Sequence, residues 1–156
     1  MSVSLYGSGN TVIQVVTGTT TTATTTTGTS YVDTALTATI TPQSTNSKIL
    51  VILGATSYIQ NSNYNCYAAL CLNRNGTIIQ EATQMNDCTS GSGNGPANQT
   101  GVGLGILDSP ATTSALTYKV QVKVESTSYS ASITFNRAFN SVTNTSTITL
   151  LEISGS

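Results

Sequence analysis

The stretch LTYKVQVKVE, residues 116–125, constrains the fold of this chain more than any other. Leu116, Tyr118, Val120, Val122 and Val124 share one parity, and Thr117, Lys119, Gln121, Lys123 and Glu125 share the other. Side chains on a β-strand point to alternate faces, so this pattern makes one apolar face and one wet face. Helical spacing would spread both sets around the circumference. All three charges of the stretch fall on the wet face. The segment predicts a half-buried strand of an antiparallel sheet, and the rest of the chain has to supply its partners.

Those partners are legible as short β-branched or apolar runs separated by turns. Residues 11–17, TVIQVVT, read as a strand that Gly18 interrupts. From there to Ser30 the chain is almost pure threonine, which favours extended backbone but offers nothing apolar enough for a core. Residues 18–30 therefore predict an exposed extended segment or edge strand between two glycine hinges. A mucin-like glycosylated stretch is the other reading of such a run, and it needs a secretory route. The stretch YVDTALTATI, residues 31–40, alternates, and Pro42 turns the chain because it presets φ and donates no ladder hydrogen bond. KILVILGATSYI, residues 48–59, opens apolar on both parities, as a strand covered on both sides does. Residues 66–72 and 77–83 flank Asn73-Arg74-Asn75-Gly76, and Asn-Gly is the strongest short hairpin signal. Residues 86–101 read as a long loop, and residues 102–107 as a short strand ending at Asp108-Ser109-Pro110. Runs at 128–135 and 147–153 complete the set, the last with Leu150 and Leu151 on opposite parities, so that both of its faces want cover.

About eight to nine short strands without a convincing helix predict an all-β fold, a two-sheet antiparallel sandwich of jelly-roll type. Residues 1–10 form an N-terminal arm in this reading, and residues 11–156 a single sandwich domain that includes the threonine segment 18–30. A chain of 156 residues is long enough for one sizeable core. Charged residues make up 7%, against about 25% in ordinary soluble domains. The net charge is −1 and no basic run occurs, so the sequence lacks the electrostatic footprint of a nucleic-acid or anionic-membrane binder. Its longest aliphatic run, residues 49–53, is too short to span a bilayer, and its first residues lack the basic and apolar regions of a signal peptide. A near-neutral surface keeps a free monomer soluble poorly, which points to an assembly.

Chemistry-bearing residues are few. There is no His, so the usual general base is missing, and no CxxC spacing suggests zinc. Cys66, Cys71 and Cys88 read as buried free thiols; Cys66 and Cys71, an odd step apart, point to opposite faces of one strand and do not pair, whereas a bond from Cys88 to either is conceivable. Of the six carboxylates Asp33, Glu81, Asp87, Asp108, Glu125 and Glu152, only Glu81 with Asp87 resembles a glycosidase pair, and no spacing motif supports it over solvated or turn-capping roles. Asp87 and Asp108 lack the loop pattern of a Ca²⁺ site. The Asn-x-Ser/Thr sequons at Asn75, Asn98 and Asn144 arise readily in so Thr-, Ser- and Asn-rich a chain. No catalytic, metal or cofactor residues are assigned. Tyr58, Tyr64 and Tyr67, around an Asn-rich loop, are candidate contacts for a sugar ring or for a protein partner.

The succession Tyr31-Val32-Asp33-Thr34, Leu36 to Pro42, Ser47 to Val51, Leu107 to Pro110, Thr117 to Val120 and Ser146 to Ile153 resembles a β-sandwich domain of tailed-phage virion structural proteins, particularly of phages of aquatic bacteria. The likeness runs from Asn10 onward. It implies a non-enzymatic virion component assembled in the host cytoplasm, often a homotrimer. Two roles follow from it. One is a capsid cement or decoration protein on the shell surface, partnered by the major capsid protein or other virion proteins. The alternative is a tail-fibre or receptor-binding tip that recognises host surface glycans. The resemblance supplies no catalytic residue, and the threonine run departs from the family's pattern.

Overall fold

The computed structural model describes residues 11–61, 67–82, 97–127 and 130–155. Ten strands occur among them: β1 (Val12–Thr20), β2 (Thr24–Thr26), β3 (Val32–Ile40), β4 (Lys48–Gln60), β5 (Ala68–Arg74), β6 (Thr77–Ala82), β7 (Ala97–Asp108), β8 (Leu116–Val124), β9 (Ser132–Phe135) and β10 (Ser146–Ile153). The fold is all-β, and the strands form two antiparallel sheets packed as a sandwich. Ten strands stand where eight to nine were expected, the extra one being short β2.

Sheet A is built on β4, the 13-residue spine. One side of β4 pairs with β7 along its whole length, from Ile49↔Asp108 to Gln60↔Ala97. Its other side is shared end to end, β10 taking residues 48–54 and β9 taking residues 57–60. β1 lies outside β10, and β2 lies outside β9. Sheet B runs β3-β8-β5-β6. Setting aside β2 and β9, the order β1-β10-β4-β7 opposite β3-β8-β5-β6 is that of an eight-stranded jelly roll.

The core lies between the sheets. β8 buries Leu116, Tyr118, Val120, Val122 and Val124 and turns the intervening residues outward, as its alternation requires. Facing it from sheet A are Ile49, Val51, Leu53, Ile59, Ile133, Phe135, Ile148 and Leu150. The β5–β6 hairpin closes through Asn75 at φ 47° and Gly76 at φ 93°, the positive angles of a primed turn whose twist suits the strands it joins. Asn73 Oδ1 accepts the Gly76 N–H at 2.8 Å and fixes that turn.

Three sequence expectations are corrected. β1 does not stop at Gly18 but runs on to Thr20. The glycine serves a close approach: a Cβ there would lie 2.0 Å from the Thr37 carbonyl oxygen of β3, where the two sheets meet at their edges. β7 begins at Ala97 rather than Val102, because main-chain pairing with β4 carries the strand through residues with little strand propensity. β4 is covered on one face only, since Leu50 is partly exposed and Ile52 largely so. The threonine segment itself is an edge: Thr24–Thr26 pairs with β9, and Thr25 Oγ1 meets Thr134 Oγ1 at 2.9 Å. Residues 1–10, Cys66 and Cys88 lie outside the described residues.

Candidate interaction surfaces

The outward faces of the two sheets have opposite chemistry. On sheet A, strand registers align outward side chains in rows across four strands. Val15 lies opposite Leu151, Leu151 opposite Leu50, and Leu50 opposite Leu107, an unbroken apolar row. Ile13 and Ile153 extend it toward the start of β1, and Ile52 lies one row inward. Several members stand free of cover: Val15 is 57% exposed, Leu107 50%, Ile52 47% and Ile13 40%. The next rows hold Thr17, Thr149 and Gly105, then Thr19, Thr147, Gly54 and Gly103. A Cβ placed on Gly101, Gly103 or Gly105 would meet nothing within 4 Å. Thr17 and Thr149 pair through their hydroxyls at 3.4 Å. Lys48, at one end of β4, is the single charged side chain among the described outward positions of these four strands.

On sheet B the outward face gathers the charges. Lys119 Nζ and Gln121 Nε2 each donate to Asp33 at 2.6 Å, and this holds its carboxyl below the usual carboxylate range. The Tyr31 hydroxyl donates to Glu81 and, with Lys123 at 3.5 Å, lowers that carboxyl too. Lys123 also approaches Glu125 at 3.4 Å and sits over the Tyr31 ring at 4.8 Å. Cys71 lies in the same region, fully buried, and burial followed by the nearby Glu81 charge pushes its thiol up to about 11. This face is polar, and its two lysines pair with its three carboxylates.

One charged cluster joins the sheets. Arg74 Nη1 donates to both oxygens of Asp108, at 2.7 and 2.6 Å, and the Tyr118 hydroxyl donates to Oδ2 at 2.7 Å. Asp108 belongs to β7, Arg74 to β5 and Tyr118 to β8, so the cluster ties sheet A to sheet B. Burial and the Asp108 hydrogen bond raise the Tyr118 hydroxyl well above the ordinary tyrosine range. Glu152 is fully buried on the inward face of β10. Its Oε1 accepts the Gln43 N–H at 2.7 Å, and the Gln14 amide, turned to donate, reaches Oε2 at 3.2 Å.

The tyrosines singled out from sequence are not one group. Tyr58 stands on the outer face of sheet A, with the Arg137 guanidinium 3.7 Å over its ring centre. Tyr67 precedes β5 in sheet B, its carbonyl accepting the Glu125 N–H. Tyr64 lies outside the described residues, as does Asp87, which leaves Glu81 bonded to Tyr31 and Lys123. Among the described residues, no three His, Cys, Asp or Glu side chains are placed to hold a metal ion.

Sequence reasoning missed the glycine row of β7. Its signal was present as a strict alternation, Gly101, Gly103 and Gly105 between Val102, Leu104 and Ile106. Period two marks a strand even when one parity has no side chains.

No protein family matches this sequence, and no curated protein is similar to it. Among solved structures, a chain of the T13 IBDV viral particle aligns with 99% of this chain at a TM-score of 0.44 and 11% identity. The alignment takes in 42% of the viral chain, so this chain spans less than half of its length.

Proposed function

We propose that this chain is a non-enzymatic structural protein of a virion, a capsid cement or decoration protein that bridges neighbouring shell subunits. The observation that carries this reading is the charge-poor, largely apolar outer face of sheet A, beside a sheet B on which charges pair among themselves. A broad apolar sheet face is a surface made for covering, since threonine hydroxyls and backbone can be buried with hydrogen bonds at modest cost and unpaired ions cannot. The family resemblance of the sequence supports the same role and gives the homotrimer as its assembly. In this reading residues 1–10 act as an attachment arm, adding extended backbone to a neighbour's sheet edge.

The alternative, a glycan-reading fibre tip, rests on the tyrosines. Arg137 occupies one face of the Tyr58 ring, which leaves less of it for a sugar. Cryo-electron microscopy of intact particles tests the choice. Density for the sandwich at regular positions on the capsid is the expected result. Density confined to a tail tip would overturn the cement role, and its absence from particles would overturn both.

A further inference from the structure

The outer face of sheet A divides, across its strands, into a bulky half and a bare half. The row Val15–Leu151–Leu50–Leu107 stands on one side of the line Thr17–Thr149–Ile52–Gly105, and the row Thr19–Thr147–Gly54–Gly103 lies on the other. Turning one copy over, about an axis lying in the face along that line, sets the bulky half of each copy on the bare half of the other. Leu50 then comes over Gly54, and Leu107 over Gly103, each contact made twice. A two-fold pair uses the same patch on both partners, and this patch is complementary to itself under that rotation. We infer that this face pairs two copies of the chain, stacked sheet on sheet about that axis.

Packing, area and charge agree with it. Face-to-face sheets sit about 10 Å apart with interdigitating side chains, so two bulky rows would clash and two bare rows would leave a void. Bulky on bare fills the layer. About this axis, residues 48–56 of β4 lie over their own counterparts in the partner copy, and four strands cross most of that span. At about 4.8 Å per strand and 3.3 Å per residue, four strands by about nine residues cover roughly 570 Å² on each copy, about 1,100 Å² in all, above the roughly 1,000 Å² that a specific interface has to clear. Within the span of residues 48–56, pairing strands no ion among the described residues except Lys48, which lies at the rim; Arg137, over the Tyr58 ring, stands beyond that span. The outer face of sheet B, with Asp33, Glu81, Lys119 and Lys123, would strand four. The pair forms whether or not the chain serves on a shell, and a trimer built through other surfaces would be joined to its neighbours by it.

Sedimentation of the purified chain tests this directly. The expected mass is an even multiple of the 16.1 kDa chain. Gly103→Trp starts from a Cβ that meets nothing within 4 Å in the single copy, and Leu107→Glu places a charge under the partner. Each should halve the mass, weakening the pair by ~100-fold or more, with an unchanged circular dichroism spectrum. Ala35→Lys, on the exposed face of sheet B, should leave the mass alone. A wild-type chain that stays single at ~100 μM, where even a weak micromolar pair would form, overturns the inference. So does an associated mass that neither substitution changes. A single chain whose Gly103→Trp form no longer binds particles assigns the face to a shell protein instead. Halved mass with normal occupancy of particles keeps the pairing and leaves the shell role standing on its own test.

Discussion

Glu152 shows how a buried carboxylate is accommodated without a cation among the described residues. Its two oxygens accept from Gln43 N and the Gln14 side chain, which ties the loop after β3 and the edge strand β1 to β10. Glu152→Ala leaves the Gln43 N–H without that acceptor, a loss of about 2–3 kcal/mol, read from the urea midpoint. Glu152→Gln keeps an acceptor for Gln43, and the Gln14 amide can turn to offer its oxygen. That substitution should cost less than half as much. Cys71 permits a second measurement. Fully buried and with its thiol pushed up to about 11, it has almost no thiolate at pH 8. Alkylation mapped by mass spectrometry should spare Cys71 in the native protein and modify it in denaturant. Native labelling at rates typical of a free thiol would contradict the burial.

Two glycines of sheet A, on its opposite edge strands β1 and β7, behave oppositely because of what lies above them. Gly18→Ala drives a Cβ against the Thr37 carbonyl, so β1 and β3 must separate; the cost is about 1–3 kcal/mol. Gly103→Ala enters open space and should change stability by no more than about 0.5 kcal/mol. Thermal melts of the two variants, side by side, check the contrast. The same pair explains what a sequence tells and what it withholds. The strand β8 was legible because its neighbours on each face only had to be apolar or wet, which alternation records. Gly18 read as a break because the carbonyl it accommodates lies on another sheet, 19 residues further along. The start of β7 was hidden for a related reason: its pairing with β4 is set by backbone, and asparagine and glycine leave no side-chain trace of it. The apolar row of sheet A was half visible, in the two parities of Leu150 and Leu151 and of the start of β4. Which residues stand beside each other across it depends on register, and register is a property of strand pairs.

At the scale of the molecule, the Arg74–Asp108–Tyr118 cluster couples the two sheets to pH. The Tyr118 hydroxyl is held protonated by burial and by donating to Asp108, so its folded pKa lies above the unfolded value near 10. Tyr31 is raised too, by burial and by its bond to Glu81. A raised folded pKa gives stability that is fully present below the unfolded value and is lost as pH rises through the folded one. Urea midpoints should hold from pH 8 to about pH 9.5 and fall beyond about 10. Tyr118→Phe should lower the midpoint at pH 8, because Asp108 loses a donor, and flatten part of the alkaline decline. An unchanged slope in that variant would mean that Tyr118 does not contribute to it.

The pairing of β1 with β10 sets the order in which this protein can be made. Val15 meets Leu151 across nearly the whole sequence, and β4 finds β10 about a hundred residues later. On a ribosome, sheet B can gather once β8 has emerged, while β1 still has no strand partner and one side of β4 still waits for β9 and β10. Loop-closure entropy for such distant strands must be met before their contacts return anything, so closure of sheet A is a late and slow event. During that wait the apolar row is exposed along with the raw edges of its strands, the condition in which β-proteins aggregate. A low density of charge gives little protection then, and a sparing rate of synthesis would serve this chain better than a fast one.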